Sequence, residues 1–345
     1  MSSNTRKNLL IAGAVAAFGL ATVVAAAADI SGAGATFPYP IYAKWADAYK
    51  KLTGIGLNYQ SIGSGGGIKQ IKAKTVTFGA SDMPLKPEDL KAAGLVQFPM
   101  IIGGVVPVVN IKGIAPGALV LDGATVASIY MGEITKWDDA RIKKLNPKLA
   151  LPGTTIAPVY RSDGSGTNFL FSDYLSKSSP KFQSSIGANS SVQWPVGIGA
   201  KGNEGVANMT TQTDGAIGYV EYAFAKQTKM AYADLINKAG KTVAPNAESF
   251  QAAAANADWK NAEGYYLILT DQAGPASWPI TGTSFILVYA VPPDAAATGS
   301  ALKFFDWAYK NGGKMAAELD YVPLPDALVQ QVRATWKSQI QGVTL

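Results

Sequence analysis

The 345-residue sequence contains neither cysteine nor histidine. Their absence rules out disulfides, thiolate nucleophiles, histidine metal ligands and every Ser-His or Cys-His catalytic pair. Charged residues are scarce, at 16%, and the net charge of +6 is spread along the chain without a basic run. Nucleic-acid binding through a basic patch is therefore unsupported. Few classes of enzyme remain, and we expect neither a bound metal nor another cofactor.

The first 28 residues have the pattern of a secretory signal peptide. The basic residues Arg6 and Lys7 precede an apolar run that ends in small residues at Ala26 and Ala28. Because about 20 of these residues carry no charge, an uncleaved membrane anchor is the alternative. The alanine-rich end favours cleavage near Ala28, and the lack of cysteine excludes a lipid-anchored mature end. We predict that residues 1–28 are removed and that the mature protein is soluble and exported.

The remaining chain is long enough for two domains, and a composition with 48% hydrophobic residues can form proper cores. Strand, turn and helix patterns alternate along it, which is typical of an open α/β sheet flanked by helices. Ligands of such sheets bind beyond the carboxyl ends of the strands. The polar turns that follow the predicted strands are therefore the candidate functional residues. The polar, alanine-rich residues 234–262 indicate no function.

The segment 161–169 follows a predicted strand at 156–160 and opens a predicted helix. The first N–H groups of a helix lack internal partners and lie at the positive end of its dipole, so an oxyanion can bind there. The turn combines flexible backbone, hydroxyl donors and a guanidinium group, supplied by Gly164, Gly166, Ser165, Thr167 and Arg161. The alternative for this turn alone is an ordinary helix N-cap in which Asp163 and Ser165 bind the free amides.

Three other turns have related features. Thr36 and Phe37 end a glycine-rich segment before a helix, where their amides are expected to be free. Ser64 lies in a second glycine-rich turn that also opens a helix. Ser81 and Asp82 follow the predicted strand 76–80 at its carboxyl end. We therefore expect all four candidate residues, like the turn at 161–169, beyond the carboxyl ends of strands.

Two apolar segments predict where the chain crosses between two lobes. Residues 105–110 are a candidate for the outward crossing, and residues 285–291 are expected to return beside them. The predicted lobe I comprises residues 29–107 and 286–345, and the predicted lobe II comprises residues 108–285. Two such crossings would form a hinge.

Taken together, these segments resemble the periplasmic phosphate-binding proteins of the PstS family, which serve ABC-type phosphate importers. The resemblance spans nearly the whole mature chain and rests on five motifs in order: Gly32-Ala33-Gly34-Ala35-Thr36-Phe37-Pro38, Gly79-Ala80-Ser81-Asp82, Arg161-Ser162-Asp163-Gly164-Ser165-Gly166-Thr167, Gly215-Ala216-Ile217-Gly218-Tyr219-Val220-Glu221-Tyr222 and Lys303-Phe304-Phe305-Asp306-Trp307-Ala308-Tyr309. In the loop 63–67 this chain has Gly-Ser-Gly-Gly-Gly where the family often has Gly-Ser-Ser-Gly-Gly. Ser64 is retained.

The resemblance implies a two-lobed class II periplasmic-binding fold, with an open, mostly parallel sheet in each lobe and two crossing segments. It implies a non-catalytic, monomeric periplasmic receptor that closes over one dehydrated phosphate and delivers it to inner-membrane ABC permease subunits with their ATPase. It also implies that the ligand contacts are made by the positions of Thr36, Phe37, Ser64, Asp82, Arg161, Ser165, Gly166 and Thr167. Asp163 is implied to pair with Arg161.

Asp82 differs from the other candidates because a carboxylate only accepts hydrogen bonds. It therefore needs a hydrogen on the ligand, which phosphate has near neutral pH and sulfate lacks. Mispairing of buried groups can cost a factor of roughly 10⁴ to 10⁵ in discrimination. The alternative for Asp82 alone is a helix cap or a surface salt bridge.

Two other functions stay open at this stage. A secreted phosphate-ester hydrolase could use Arg161 and the glycine turn as an anion clamp, although it would need a nucleophile with a base, or metal ligands. A binding protein for sulfate or molybdate could use the same donors, but Asp82 would oppose it. The segment Gly197–Gly202 also fits the GxGxxG pattern of dinucleotide sites, and we interpret it as a flexible loop before a helix because no strong strand precedes it.

Overall fold

The computed structural model describes residues 29–255 and 257–344, so the predicted signal peptide lies outside the described residues. The described chain is a mixed α/β structure. Its strands are β1 Ile30–Gly34, β2 Leu57–Ser61, β3 Phe78–Ser81, β4 Leu95–Val109, β5 Leu119–Asp122, β6 Ala157–Arg161, β7 Ile198–Ala200, β8 Ala216–Glu221, β9 Ala231–Ile236, β10 Thr242–Val243 and β11 Thr281–Tyr289.

The helices alternate with these strands for most of the chain and gather at its C-terminal end. They are α1 Tyr39–Thr53, α2 Ser64–Lys72, α3 Pro87–Ala93, α4 Gly123–Tyr130, α5 Ala140–Leu145, α6 Gly166–Ser178, α7 Pro180–Ser185, α8 Gly202–Gln212, α9 Tyr222–Gln227, α10 Ala247–Ala254, α11 Ala295–Asn311, α12 Gly313–Ala317 and α13 Asp326–Gln339. A short 3₁₀ helix covers Glu263–Tyr265.

The strands form one hydrogen-bonded network in the order β2-β1-β3-β11-β4-β8-β6-β7, and β5, β9 and β10 join it through β9. The long strand β4 divides this network. Its residues 95–104 pair with β11, whereas its residues 105–109 pair with β8. We call β2, β1, β3, β11 and residues 95–104 the first half-sheet, and the remainder the second half-sheet.

The strands that lead to the candidate residues run parallel within each half-sheet. In the first half-sheet β1 pairs in parallel with β2 and β3, and in the second β6 pairs in parallel with β7 and β8. The crossing strands β4 and β11 pair antiparallel with their neighbours. Parallel strands direct their carboxyl ends to one edge, so each half-sheet presents its turns at one edge.

The crossing between the half-sheets is tightly packed. The Val105 amide donates to the Ile280 carbonyl at 2.9 Å, and the Trp278 indole donates to the Val105 carbonyl at 2.9 Å. A Cβ at Gly104 would lie 2.1 Å from the Phe250 ring, so only glycine allows this aromatic side chain to lie against the strand. The two chain passages from one half-sheet to the other therefore lie side by side.

The mixed α/β fold was predicted correctly, but two local predictions were wrong. The return strand β11 pairs with residues 95–104 of β4 instead of residues 105–110, because the apolar runs 96–102 and 105–110 form one continuous strand. The segment Gly197–Gly202 is not a flexible loop, since it contains β7 and ends at the first residue of α8. A three-residue strand is too short to give a recognisable hydrophobic pattern.

The amphipathic helices bury most of the side chains that their spacing predicts, but Leu52, which the spacing places on the apolar face of α1, is 69% exposed. In α1 the buried face includes Ile41, Tyr42 and Trp45, and the helix ends at Gly54 in the left-handed region, with φ of 79°. Trp336 of α13 packs edge-on against the Phe98 ring at 5.1 Å between centroids. Among residues 29–255 and 257–344, no helix is both long enough and apolar enough to span a membrane.

Candidate functional site

The candidate residues lie at the facing edges of the two half-sheets. From the first half-sheet, Thr36 and Phe37 lie between β1 and α1, Ser64 opens α2, and Asp82 follows β3. From the second half-sheet, Arg161 ends β6, Ser165 caps α6, and Gly166 and Thr167 are its first two residues. All eight predicted residues are buried, and the side chains with polar groups are at most 3% exposed.

Direct contacts join the two sets of residues. The Ser64 hydroxyl oxygen accepts the Asp82 amide at 3.1 Å and the Gly166 amide at 3.0 Å from the opposite half-sheet. Next to it, the Gly65 amide donates to the Gly164 carbonyl at 2.8 Å. The structure therefore has a closed arrangement in which the turns of the two half-sheets touch.

Arg161 and Asp163 form a two-point ion pair within the same turn. The Arg161 Nε atom lies 2.8 Å from Asp163 Oδ1, and Nη2 lies 2.6 Å from Oδ2. The predicted pairing of these residues is thus present in the structure. Partial burial acts to raise the pKa of Asp163, but the hydrogen bonds and charge of Arg161 outweigh it and hold the pKa below its ordinary value.

This ion pair uses only one side of the guanidinium group. Within the described residues, Arg161 Nη1 is buried and has no hydrogen-bond partner. The Arg161 side chain is 1% exposed, so water is not readily available to satisfy this donor. A buried charged donor without a partner is costly, which makes Nη1 a donor for a ligand.

Asp82 is an acceptor without a donor, whereas Arg161 Nη1 is a donor without an acceptor. Both of its carboxylate oxygens are buried and have no hydrogen-bond partner in the part of the chain that the structure describes. Burial raises the pKa of Asp82 to about 7, while the Arg161 charge and the hydroxyls of Ser284 and Ser64, which lie nearby without the geometry of a hydrogen bond to the carboxylate, act in the opposite direction. The site thus places an unpaired acceptor near an unpaired cationic donor.

The backbone supplies further donors. The hydrogen bonds of the described residues leave the Phe37 and Thr167 amides without an acceptor. Phe37 precedes α1, and Thr167 lies in the first turn of α6, where amides have no partner inside the helix. The Phe37 carbonyl, in contrast, accepts from the Tyr321 hydroxyl at 2.6 Å.

The sequence analysis left open whether Ser165 and Asp163 cap the helix α6, and the structure distinguishes the two residues. Ser165 is the N-cap of α6, and its hydroxyl oxygen accepts the Asn168 amide at 2.9 Å. Its hydroxyl hydrogen stays free to donate, so capping and ligand binding are compatible. Asp163 does not cap α6, because it pairs with Arg161 and accepts the Gly202 amide at 3.2 Å.

Gly166 is one of the positions where the half-sheets approach each other closely. A Cβ at this residue would lie 2.5 Å from Asp82 Cβ and 2.6 Å from Ser64 Oγ. Its amide is satisfied by Ser64 in this closed arrangement. The predicted contact of the Gly166 amide with a ligand stays a prediction.

Several residues of the site were missed by the sequence analysis. Asn203 of α8 contacts the hydroxyls of both Thr36 and Thr167. Tyr219 accepts the Arg161 amide through its hydroxyl at 3.0 Å and also donates to Asn168. Asn203 directly follows the GxGxxG-like segment, which is the signal that could have identified it.

A buried carboxyl outside the predicted set joins the half-sheets beside Phe37. Glu221 Oε2 lies 2.8 Å from the Tyr321 hydroxyl and accepts the Ala223 amide at 2.9 Å. Burial raises the pKa of Glu221 well above its ordinary value, and the nearby Asp82 charge adds to this shift. Glu221 therefore holds its proton more readily than an exposed glutamate.

The described residues contain no group of three or more histidine, cysteine, aspartate or glutamate side chains that could hold a metal ion. The site offers hydroxyl, amide and guanidinium donors together with a single carboxylate, an arrangement that matches a small oxyanion carrying at least one hydrogen.

Comparisons with known proteins agree with this architecture. The model of the PBP superfamily domain matches residues 21–311. The phosphate-binding protein PstS of Xylella fastidiosa (strain 9a5c) is 55% identical over 312 residues, which cover 90% of this chain and 86% of that protein. The protein of the same name from Pasteurella multocida (strain Pm70) is 52% identical over 338 residues, which cover 98% of this chain and 97% of that protein.

Among solved structures, a high-affinity periplasmic phosphate-binding protein bound with phosphate at pH 8.5 has a TM-score of 0.69. The match has 22% sequence identity and covers 89% of this chain and 93% of that chain, so it supports the fold. The predicted two-lobed periplasmic-binding fold is thereby confirmed. The chain belongs to the PstS family of phosphate-binding proteins within the PBP superfamily.

Proposed function

We propose that this protein is the phosphate receptor of an ABC-type importer and encloses one inorganic phosphate between its half-sheets. The observation that carries this proposal is the pair of buried, unpartnered groups at the site, Arg161 Nη1 and the Asp82 carboxylate. One group can only donate and the other, when ionised, can only accept. Phosphate that retains a hydrogen satisfies both groups at once.

The other ligand contacts follow from the free hydrogens of the site. We assign donor roles to the Phe37 and Thr167 amides and to the hydroxyls of Thr36, Ser64 and Ser165. These groups come from the amino ends of helices or the turns before them, where the helix dipole also favours an anion. Gly166 allows the two turns to close around the ligand, and Asp163 holds the guanidinium of Arg161 in place.

Each hydrogen bond to a charged group contributes roughly 1.5 to 3 kcal/mol net, against the costs of ordering and closure. A dissociation constant on the order of micromolar, about −8 kcal/mol, is the corresponding expectation. Since the donors come from both half-sheets, the complete site exists only in the closed arrangement. Phosphate should therefore favour closure by its differential affinity for that state.

We propose that the chain passes between the two predicted lobes, residues 29–107 with 286–345 and residues 108–285, a few residues earlier than predicted, at 104/105 and 280/281. This placement is supported because β11 pairs wholly with the first half-sheet and residues 105–109 of β4 pair with the second. These two passages are the proposed hinge. In this scheme the closed receptor is recognised by inner-membrane permease subunits, which work with their ATPase. The receptor would act as a monomer in the periplasm after removal of residues 1–28. We assign it no catalytic step, because the site residues supply binding groups and no paired nucleophile and base.

The test is isothermal titration at pH 8 of mature protein stripped of ligand, first with phosphate and then with sulfate. We expect tight binding of phosphate and weak or undetectable binding of sulfate. Absence of phosphate binding by a folded sample would contradict the proposed function. Turnover of a chromogenic phosphate ester with divalent metals would instead support a hydrolase.

Asp82→Ala tests the proposed basis of selectivity in the same assay. Removal of the carboxylate should raise sulfate affinity relative to phosphate affinity, because sulfate would no longer face an acceptor. The matched control is Asp89→Ala, which removes an exposed aspartate of α3. A phosphate-to-sulfate affinity ratio equal to that of the control would refute the role of Asp82.

A further inference from the structure

Asn203 is a fully buried amide that connects the two half-sheets beside the site. It is the second residue of α8 and is 0% exposed. Its Nδ2 atom donates to Thr36 Oγ1 at 2.8 Å and to Thr167 Oγ1 at 3.3 Å. Thr36 belongs to the turn after β1, whereas Thr167 belongs to α6.

The orientation of the Asn203 amide follows from its third partner. The backbone amide of Glu221 lies 3.1 Å from Asn203 Oδ1. A backbone N–H can only donate, so the oxygen of the Asn203 side chain must face it. The NH₂ group is thereby directed at the two threonine hydroxyls.

This arrangement uses up the acceptor capacity of Thr36. Its hydroxyl oxygen accepts from Asn203 Nδ2 and also from the Asn203 backbone amide at 3.2 Å. A hydroxyl has two acceptor sites and one hydrogen. Because both acceptor sites are occupied, Thr36 can form a further bond only by donating its hydrogen.

The Thr167 hydroxyl is also favoured as a donor to a ligand. It accepts one bond from Asn203, and its hydroxyl is fully buried. Ser64 shows the same pattern, since its oxygen accepts two amides, from Asp82 and Gly166. Three hydroxyls at the site thus have their acceptor sites occupied wholly or in part by protein donors.

We propose that Asn203 is a positioning residue that makes the Thr36 and Thr167 hydroxyls donors to the bound anion. This inference rests on the proposed phosphate-binding function. Since these hydroxyls donate, the phosphate oxygens that face them carry no hydrogen. The hydrogen of the ligand is left to the Asp82 carboxylate, so Asn203 contributes to selectivity without contacting phosphate.

Asn203→Asp tests this assignment because it reverses the polarity of the contact while conserving side-chain size. One carboxylate oxygen can still accept the Glu221 amide, but the other would accept hydrogens from Thr36 and Thr167. Both hydroxyls would then turn away from the anion. We expect phosphate affinity to fall by about 100-fold or more, since two donors to a charged ligand are lost.

The added negative charge would also weaken phosphate binding, so the decisive measurement is a double-mutant cycle with Thr36→Val. Thr36→Val alone should reduce phosphate affinity by about 10- to 100-fold. In the Asn203→Asp background it should cost less than about 3-fold, because the hydroxyl is already diverted. Additive losses would overturn the inference and indicate a purely electrostatic effect.

Asn208→Asp is the matched control, since it adds the same charge at an exposed position of α8. It should leave phosphate affinity within about 2-fold of the unmodified protein. If Asn203→Asp impairs folding, the same cycle with Asn203→Leu should also show coupling, because threonine hydroxyls lose their fixed orientation. Normal phosphate binding by either Asn203 variant would overturn this inference alone, whereas failure of the unmodified protein to bind phosphate would overturn the proposed function.

Discussion

The proposed opening of the cleft would give Asp82 two environments. In the closed arrangement its side chain is buried, and burial raises its pKa to about 7. When the cleft opens, water can reach the carboxylate and its pKa should return towards the ordinary value of about 3.9. Between these pH values the closed form of the empty protein therefore binds more protons than the open form.

This difference predicts how the empty protein responds to pH. A state that binds more protons is favoured at low pH, so closure should weaken as pH rises from about 4 to about 7 and stay weak above it. A change in the pKa of Asp82 between about 3.9 in the open form and about 7 in the closed form alters the free energy of closure by about 4 kcal/mol at most. We expect the radius of gyration of phosphate-free protein, measured by small-angle X-ray scattering, to increase between pH 4.5 and pH 8.

Asp82→Asn is the control for this pH effect because its side chain has a similar shape and does not ionise. Its radius of gyration should depend less on pH than that of the unmodified protein. Some dependence should persist, since burial also raises the pKa of Glu221 at its contact with Tyr321. An unchanged pH profile in Asp82→Asn would show that Asp82 does not control closure.

The first residues of α6 provide donors to the site, and they also determine how closely the two half-sheets can approach each other. Its N-cap is Ser165, and its first residue, Gly166, lies directly against Asp82 and Ser64. The short distances at Gly166 cross from one half-sheet to the other. A side chain at this position would therefore interfere with closure more than with the folding of α6.

Gly166→Ala should consequently weaken phosphate binding without destabilising the empty protein. The added Cβ would lie 2.5 Å from Asp82 Cβ, so the half-sheets would have to stay apart. We expect phosphate affinity to fall by about 100-fold or more. The melting temperature without ligand should be equal or higher, because alanine lowers the conformational entropy of the unfolded chain. This effect stabilises the folded state by up to about 1 kcal/mol.

Gly205→Ala in α8 is the matched control, since its Cβ would have no neighbouring atom closer than 3.6 Å. Titration calorimetry and thermal denaturation of the two variants should separate closure from folding. Equal phosphate affinities for Gly166→Ala and Gly205→Ala would contradict the steric role of Gly166.

The whole molecule consists of two half-sheets joined by β4 and by the chain that leads into β11. Every residue of β11 pairs with the first half-sheet, whereas β4 continues into the second. Contacts between the turns, such as Gly65 to Gly164, form only when the half-sheets meet. We therefore expect ligand binding and lobe closure to be one coupled equilibrium.

Phosphate should therefore stabilise and compact the entire protein. At a free phosphate concentration of 100 times the dissociation constant, the free energy of unfolding should rise by about 2.7 kcal/mol. The radius of gyration at pH 8 should decrease on addition of phosphate, and sulfate at the same concentration should change neither quantity. Stabilisation without compaction would indicate binding to the open form.

Much of this architecture could be predicted from the sequence because it depends on local patterns. A proline at 87 and a glycine at 94 indicate a helix over 87–93, and α3 has these bounds. The strands that lead to Asp82 and Arg161 were also recognised, and the ends of parallel strands must lie at one sheet edge. The strand β1 before Thr36 was interpreted as a glycine-rich turn, because glycine and alanine dominate it. The crossing strand β4 was divided incorrectly, because Gly103 and Gly104 interrupt its apolar pattern.

The contacts across the cleft could not be predicted in this way. The distance between Asn203 and Thr36 along the chain is 167 residues, and Tyr321 lies 100 residues from Glu221. Their side chains are ordinary polar residues in the sequence, without a spacing that relates them. Their roles depend on which hydrogens are already used, which requires the positions of all their neighbours.

The sequence alone determined the elements, the donor-rich turns and the presence of one acceptor, because propensities, caps and side-chain chemistry act over a few neighbouring residues. Only the tertiary structure decided which of these groups lack partners and which are oriented by another residue. The physical reason is that burial and hydrogen-bond saturation are properties of a packed environment. Arg161 is a common cation in the sequence, but the folded chain occupies one side of its guanidinium and leaves Nη1 buried without a partner.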